Sequence, residues 1–252
     1  MLALEQWLST PAGRYFVQLE QQWFDHQVPD IFGFTAVQLG TRQIDGLKES
    51  RIPHMAYAYP VEACEGLARV NPTNHVAVDL YLQLEDLPFE TQSLDLIVMP
   101  HVLEFCPEPH QLLREVERVL LPEGRVIITG FNPISLWGAK HGLIKRWWPV
   151  WPTGCQPIHI TRLKDWFKLL SLELESGRFS AYRLPSNRET MLQRFEFMEK
   201  AGDRWWPVCG GAYYLTAVKR IHGMRLIGPA FKDKCQEIKQ LKPATQKSIY
   251  RE

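Results

Sequence analysis

Residues 86–132 decide the fold of this chain, and they read DLPFETQSLDLIVMPHVLEFCPEPHQLLREVERVLLPEGRVIITGFN. Two short runs in this stretch, residues 94–99 and 125–131, are apolar along almost their whole length. A strand with one face in water alternates apolar and polar residues, whereas a strand covered by helices on both faces does not. The two runs therefore predict strands of a buried parallel sheet.

The segment between these runs, residues 107–121, predicts an amphipathic helix. Its apolar residues recur at the spacing of one helix face and are Leu112, Leu113, Val116, Val119 and Leu120. Pro107 and Pro109 suit a first helical turn, and Gly124 follows the expected end of the helix. Strand, helix and strand together predict a crossover unit, which is right-handed in nearly every known protein.

The rest of the chain continues this alternation of strands and helices. Further strands are predicted at residues 34–39, 54–59, 76–80, 172–180 and 212–219. Helices are predicted from residue 161 and over 188–201. Thr10 followed by Pro11 marks a helix start near the beginning of the chain, where we expect one or two helices lying across the main domain.

Composition narrows the class of protein. The chain of 252 residues is 45% hydrophobic and 23% charged, which is ordinary for a globular protein with a full core. Its net charge of +1 gives no global electrostatic case for nucleic acid, and no apolar run approaches the length of about 20 residues that spans a bilayer. The 5 cysteines are far apart and fit neither a disulfide framework nor a zinc site. We therefore expect a cytoplasmic protein without a metal site.

The segments DLPF, SLDLIVMPHVLEF and PEPHQLLREVERVLLPEGRVIITGFNP resemble the central motifs of class I S-adenosylmethionine-dependent methyltransferases. They are similar in particular to the methyltransferase type 11 branch, which includes enzymes that methylate quinone rings. The resemblance implies an α/β fold with a doubly wound, Rossmann-like, mostly parallel sheet of seven strands whose last strand is antiparallel. It also implies methyl transfer from S-adenosylmethionine to a small or medium acceptor, with S-adenosylhomocysteine released.

The first strand–helix loop departs from the family pattern. The family usually has an acidic residue where Gln38 stands, followed by three glycines at alternate positions. Only Gly40 remains, because Arg42 and Ile44 occupy the later two glycine positions. Glycine lets the backbone turn sharply and approach a ligand closely, so this departure bears directly on cofactor binding.

The second loop departs from the pattern as well, whereas the third is better kept. The family ends its second strand with an acid that accepts both ribose hydroxyls, and Tyr59 and Pro60 stand there, with Glu62 able to substitute only if the chain bends back. Such a charged hydrogen bond is worth about 1.5–3 kcal/mol, roughly 10- to 150-fold in affinity. Gln83 stands where an Asp commonly accepts the adenine amino group, and the backbone of Leu84 follows it for a ring nitrogen.

The loop after the fourth strand carries the candidate for the chemistry. In the family this loop lines the methionine end of the cofactor, and His101 is its most suitable polar residue, as a base or as a substrate ligand. A histidine in a loop is also often purely structural, and that alternative stays open. The cofactor-binding residues implied by the resemblance are Gln38, Leu39, Gly40, Thr41, Tyr59, Gln83, Leu84, Met99 and Pro100.

The predicted organisation has three parts: a helical lead-in over residues 1–30, a methyltransferase-fold domain over 31–227, and a basic tail over 228–252. Within the domain, the Trp-rich connection over 132–156 either closes over an aromatic or lipid-like small-molecule acceptor or packs as a hydrophobic lid. The tail has the composition of a solvated, partly disordered segment.

Two other functions compete with the enzyme. The altered first two loops favour a non-catalytic methyltransferase-like interaction protein that has lost or weakened cofactor binding. A nucleic-acid methyltransferase has only the basic tail in its favour. It is opposed by the sequence Met99-Pro100-His101-Val102, which stands where an Asn/Asp-Pro-Pro-aromatic base-flipping motif is expected.

Overall fold

The computed structural model describes residues 1–61, 78–144 and 150–220, which fall within the compact unit Met1–Ile221. Seven strands form one sheet: β1 Thr35–Leu39, β2 His54–Pro60, β3 Leu80–Leu82, β4 Leu94–Pro100, β5 Leu120–Phe131, β6 Leu172–Ser180 and β7 Ala212–Lys219. The α-helices are α1 Leu2–Leu8, α2 Pro11–Gln27, α3 Pro109–Val119, α4 Leu136–Ile144, α5 Ile160–Leu169, α6 Glu189–Arg194 and α7 Phe197–Trp205.

The sheet has the order β3-β2-β1-β4-β5-β7-β6. Neighbours from β3 to β5 pair in parallel, and β7 runs antiparallel to both β5 and β6. The predicted mostly parallel sheet of seven strands with an antiparallel last strand is therefore confirmed. The strand order reverses between β1 and β4, and a crevice outside the carboxyl ends of strands at such a reversal is where open α/β sheets bind ligands.

The strands of the crossover unit β4–α3–β5 are buried on both faces, by α1 and α2 on one side and by α3 and α5 on the other. The face of α3 that the spacing predicted, including Leu112, Leu113 and Val116, is fully buried. Asp95 is the one acidic residue within β4, and its carboxylate accepts the backbone N–H groups of Phe34 and Thr35 at 2.7 and 3.0 Å. A charged residue in an apolar strand thus fixes the start of β1.

Some element boundaries differ from the predicted ones. Strand β5 begins at Leu120, which pairs with Leu94, so Gly124 lies within the strand and does not follow a helix end. The predicted helix over 188–201 is two helices, α6 and α7, because the first ends at Arg194. The predicted strand over 76–80 is realised as β3, which starts at Leu80; residues 76 and 77 lie outside the described residues.

The two helices at the start of the chain pack on the sheet and not at its margin. The Thr10 hydroxyl accepts the backbone N–H of Gly13 at 3.1 Å, which caps α2 with Pro11 in its first turn, as predicted. The buried face of α2 includes Phe16, Glu20 and Phe24 at intervals of four residues. α1 and α2 cover one face of the sheet, whereas α3 and α5 cover the other.

No described helix is both long and apolar enough to cross a membrane. Several predictions fall on parts of the chain outside the described residues. These are the basic tail over 228–252, residues 145–149 of the Trp-rich connection, and the substitution of Glu62 for the missing ribose acid.

Candidate functional site

The carboxyl ends of β1, β2 and β4 bring most of the predicted cofactor-binding residues to one edge of the sheet. Gly40 ends the first of these strands with φ of +104°, and its N–H donates to the Ala58 carbonyl of β2 at 2.9 Å. A Cβ on Gly40 would stand 2.5 Å from Cγ2 of Val102 in the loop after β4. Both the backbone conformation and the lack of space therefore require glycine here.

Gln38, which replaces the acid of the family pattern, fixes the shape of the first loop. Its side-chain amide donates to the carbonyls of Thr41 and Ile44 at 3.1 and 2.6 Å and accepts the N–H of Gly46 at 2.8 Å. The side chain is buried, with 2% of its surface exposed. The amide of Gln38 therefore holds the backbone of the loop in place through three hydrogen bonds.

Helix α1 lies against this loop. Oε1 of Glu5 is 3.7 Å from Nε of Arg42 and 3.5 Å from its backbone nitrogen, and Glu5 is fully buried. The side-chain amide of Gln43 donates to the Glu5 carbonyl at 2.7 Å. The methyl carbon of Met1 lies 3.0 Å from where a Cβ on Gly40 would stand. Side chains of α1 and of the loop itself therefore occupy the space above Gly40.

A small cavity lies at this edge of the sheet. The space between the ends of β1 and β2, lined by Gly40, Arg42 and Tyr57 among others, is about 10 Å³. That is room for about one water molecule, whereas pockets for small organic ligands are usually about 300–1,000 Å³. Ile44 is fully buried in the loop. This cavity is therefore too small for a nucleoside.

The remaining predicted cofactor-binding residues differ in how far they are exposed. Tyr59 on β2 is fully buried with its ring against Tyr81, at a centroid distance of 6.5 Å. Leu84 is buried after β3, and Met99 and Pro100 are buried at the end of β4. Gln83 is exposed, so its amide is accessible to a ligand. Their roles in binding a cofactor stay predictions.

His101 follows β4 and is completely buried, with φ of +54°. Its Nδ1 lies 2.8 Å from a carboxylate oxygen of Glu104, and its Nε2 lies 2.6 Å from one of Glu20 on α2. A residue that is not glycine seldom adopts this left-handed conformation, and such strain is often found at functional sites. The structure thus places the predicted catalytic residue between two acids.

The second oxygen of each acid is also bonded. Glu20 accepts the hydroxyl of Thr129 on β5 at 2.9 Å, and Glu104 accepts the backbone N–H of Phe131 at 2.5 Å. We call Glu20, His101, Glu104 and Thr129 the histidine cluster. It joins α2, the loop after β4 and the end of β5 in one buried network.

The histidine cluster holds a charged imidazole. Burial alone lowers the pKa of His101, but the charge of Glu20 and the hydrogen bonds to Glu20 and Glu104 outweigh it and raise that pKa to about 10. Burial raises the pKa of Glu104, and the hydrogen bond from His101 opposes that rise. At neutral pH both ring nitrogens therefore carry protons, and His101 has no lone pair with which to accept another.

The sequence analysis missed Glu20, which lies 81 positions before its partner. A signal was present, because Glu20 stands between Phe16 and Phe24 on the apolar face of a helix. A carboxylate on such a face needs a buried partner. Nothing in the sequence identifies that partner as His101.

Aromatic side chains pack next to the histidine cluster. The ring of Phe131 lies 4.1 Å from that of His101, 5.2 Å from that of Trp7 and 5.5 Å from that of Trp151, measured between centroids. Trp137, on α4, packs against Phe16 at 5.0 Å. Two tryptophans of the Trp-rich connection are therefore part of the core.

Comparisons with known proteins agree with this architecture. Residues 54–128 match a family model described as a methyltransferase domain. The chain is 28% identical over 190 residues to the uncharacterized protein YafS of Escherichia coli K12, which covers 75% of this chain and 72% of that protein.

Solved structures share the fold at low sequence identity. A SAM-dependent methyltransferase from Thermotoga maritima aligns with a TM-score of 0.59 and 18% identity, over 86% of this chain and 94% of that one. An S-adenosylmethionine-dependent methyltransferase from Mesorhizobium loti aligns with a TM-score of 0.53 and 13% identity, over 80% and 99%. The cyclase SpnF aligns with a TM-score of 0.51 and 17% identity, over 81% of each chain.

Proposed function

We propose that this chain is an S-adenosylmethionine-dependent methyltransferase. Its residues 54–128 match a methyltransferase domain, and its fold is that of class I methyltransferases. Its acceptor in this proposal is a small or medium molecule, aromatic or lipid-like. The observation that carries the proposal is Gly40. A glycine with positive φ at the end of β1, packed against the loop after β4, is the feature that a close approach of backbone to cofactor requires.

S-adenosylmethionine, when bound, supplies an electrophilic methyl group, so the protein has mainly to position the acceptor and exclude water. In this proposal the backbone of Leu39, Gly40 and Thr41 lies along the cofactor. Gln83 accepts from the adenine, and Met99 and Pro100 border its methionine end. Binding requires α1 to move, because Met1, Glu5 and Arg42 close the crevice in the arrangement described.

His101 remains the proposed catalytic group under one condition. Both of its ring nitrogens are bonded to carboxylates, and one partner, Glu20, comes from α2. This condition is a shift of α2 that would free Nε2 while Glu104 keeps the ring in place. His101 then loses part of the interaction that raises its pKa, which makes a neutral imidazole accessible at moderate pH.

Isothermal titration calorimetry with S-adenosylhomocysteine tests the proposal. We expect measurable heat and a rise in melting temperature at millimolar ligand. We expect Gly40→Ala to weaken binding at least about tenfold, because the new Cβ would clash with Val102. Gly154→Ala is the matched control: Gly154 also has a positive φ, of +84°, but open space beside it, so its backbone strain changes while the crevice does not.

A non-catalytic interaction protein is the second candidate, and one observation favours it. The space between the ends of β1 and β2 is about 10 Å³, and Arg42, which lines it, is paired with Glu5 of α1. The absence of both heat and thermal shift at millimolar S-adenosylhomocysteine would decide for this candidate.

A further inference from the structure

A second cavity of about 600 Å³ opens beyond β5, separate from the crevice above Gly40. Strands β5 and β6 both run antiparallel to β7, and their last residues, Phe131 and Ser180, both pair with Ala212. The carboxyl ends of these two strands therefore lie at the same edge. The cavity is lined there by α4, by residues 185–188 after β6, and by the turn between α1 and α2.

The aromatic surface that the cavity exposes is that of Trp7, which is half-buried, because Trp137 also lines the cavity but has only 1% of its surface exposed. Trp7 donates its ring N–H to the Val150 carbonyl, and Trp137 donates its own to the Arg183 carbonyl, each at 2.8 Å. Because the N–H group of Trp7 is bonded to backbone, its ring offers the cavity carbon surface and no donor. Flat aromatic surfaces favour a ligand that is itself planar and apolar over much of its area.

The charge of the cavity has one sign. Lys140 and Arg188 line it, and none of its described lining residues is acidic. Lys140 donates to the Pro185 carbonyl at 2.6 Å, which orients the ammonium group and leaves its charge uncompensated. Neither cation has an ion-pair partner within 4.0 Å in the described part of the chain. Two unpaired cations beside apolar walls favour an anion on the ligand.

The cavity shares a wall with the candidate active site. Trp7 lines the cavity and packs on Phe131, and the ring of Phe131 also packs on that of His101 at a centroid distance of 4.1 Å.

We propose that this cavity binds a planar organic acid, with its ring system against Trp7 and its carboxylate at Lys140 and Arg188. This binding site does not depend on the proposed function. A volume of about 600 Å³ accommodates a ligand of two fused rings.

Calorimetric titration with 2-naphthoate tests the site, with neutral 2-naphthamide as the ligand control. We expect 2-naphthoate to bind about tenfold more tightly than the amide, since one charge-assisted interaction is worth about that factor. The double variant Lys140→Gln, Arg188→Gln should bind the acid no better than the amide. Lys200→Gln, at a cation of a different cavity, should leave both affinities unchanged.

Equal affinities for the acid and the amide, no binding of either, or a double variant that still prefers the acid would each overturn the proposal. Melting temperatures of the variants show whether they are folded. Titration of the same samples with S-adenosylhomocysteine separates the two proposals. If S-adenosylhomocysteine binds and 2-naphthoate does not, only the proposed acid site is refuted. If 2-naphthoate binds and S-adenosylhomocysteine does not, only the proposed methyltransferase function is refuted.

Discussion

The crossover unit β4–α3–β5 and the loop over residues 40–47 meet at one edge of the sheet, but they are held in place in different ways. The unit is stabilised by its own apolar residues, such as Leu113 of α3. The loop is held by Gln38 from within and by Glu5 from α1. Burial of apolar surface fixes the scaffold, while polar contacts from another part of the chain fix the loop. A fold can therefore persist while its ligand-binding loop is rebuilt.

The histidine cluster connects the two regions. Replacing its charged residue, His101, should have the largest effect on stability. We expect His101→Gln to lower the free energy of unfolding by about 3–5 kcal/mol, because Glu20 and Glu104 are left buried without a counter-charge. Urea unfolding monitored by circular dichroism measures this change. Glu20→Gln should lower the free energy of unfolding by less, since His101 keeps its contact with the carboxylate of Glu104. If the two variants are equally stable, the cluster does not work as described.

A cavity in the crossover unit tests the scaffold alone. Leu113→Ala should lower the free energy of unfolding by about 2–5 kcal/mol, because the side chain is fully buried against the sheet. Arg114→Ala, on the exposed face of the same helix, should change stability by less than about 0.5 kcal/mol. Thermal and urea unfolding of the pair measure both effects. If Leu113→Ala lowers the free energy of unfolding only slightly, the crossover unit is not the main source of stability.

The charge of His101 makes stability depend on pH. Its pKa is about 10 in the folded protein against 6.5 as the ordinary value, so the folded state binds the proton more tightly. This contribution to stability is complete below pH 6.5 and is lost as pH rises through about 10. We therefore expect the urea concentration at the midpoint of unfolding to decrease as the pH is raised from 6.5 to about 10. The His101→Gln variant should lack most of that fall, and an identical slope in both proteins would contradict the assignment.

The contact between α1 and the loop should have the smallest effect on stability and a specific effect on binding. Arg42→Gly leaves the fully buried carboxylate of Glu5 without its partner, so it should lower the free energy of unfolding by about 1–3 kcal/mol. Because this pair holds α1 against the loop, its loss should raise the affinity for S-adenosylhomocysteine by about fivefold or more. Calorimetric titration measures this gain. Arg125→Gln breaks an ion pair between β5 and β6 away from the crevice and should leave the affinity unchanged. A weaker-binding Arg42 variant would show that Arg42 contacts the ligand.

These differences explain which parts of the structure the sequence could predict. The strands over 172–180 and 212–219 and the apolar face of α3 follow from local periodicity, and the structure confirms them. The contacts of Glu20 with His101 and of Glu5 with Arg42 join segments 81 and 37 positions apart, and no local pattern encodes such pairs. The altered glycine positions predicted a changed loop, but not that α1 would close it.

The histidine cluster also decides where a minimal version of this domain can begin. Glu20 contributes one of the two carboxylates that surround His101, and Phe16 and Phe24 beside it are completely buried. A shortened protein that starts at residue 31 would expose one side of the sheet to solvent and leave an apolar surface prone to aggregation. Expression of a trimmed protein should therefore keep α2 in full and start no later than Thr10.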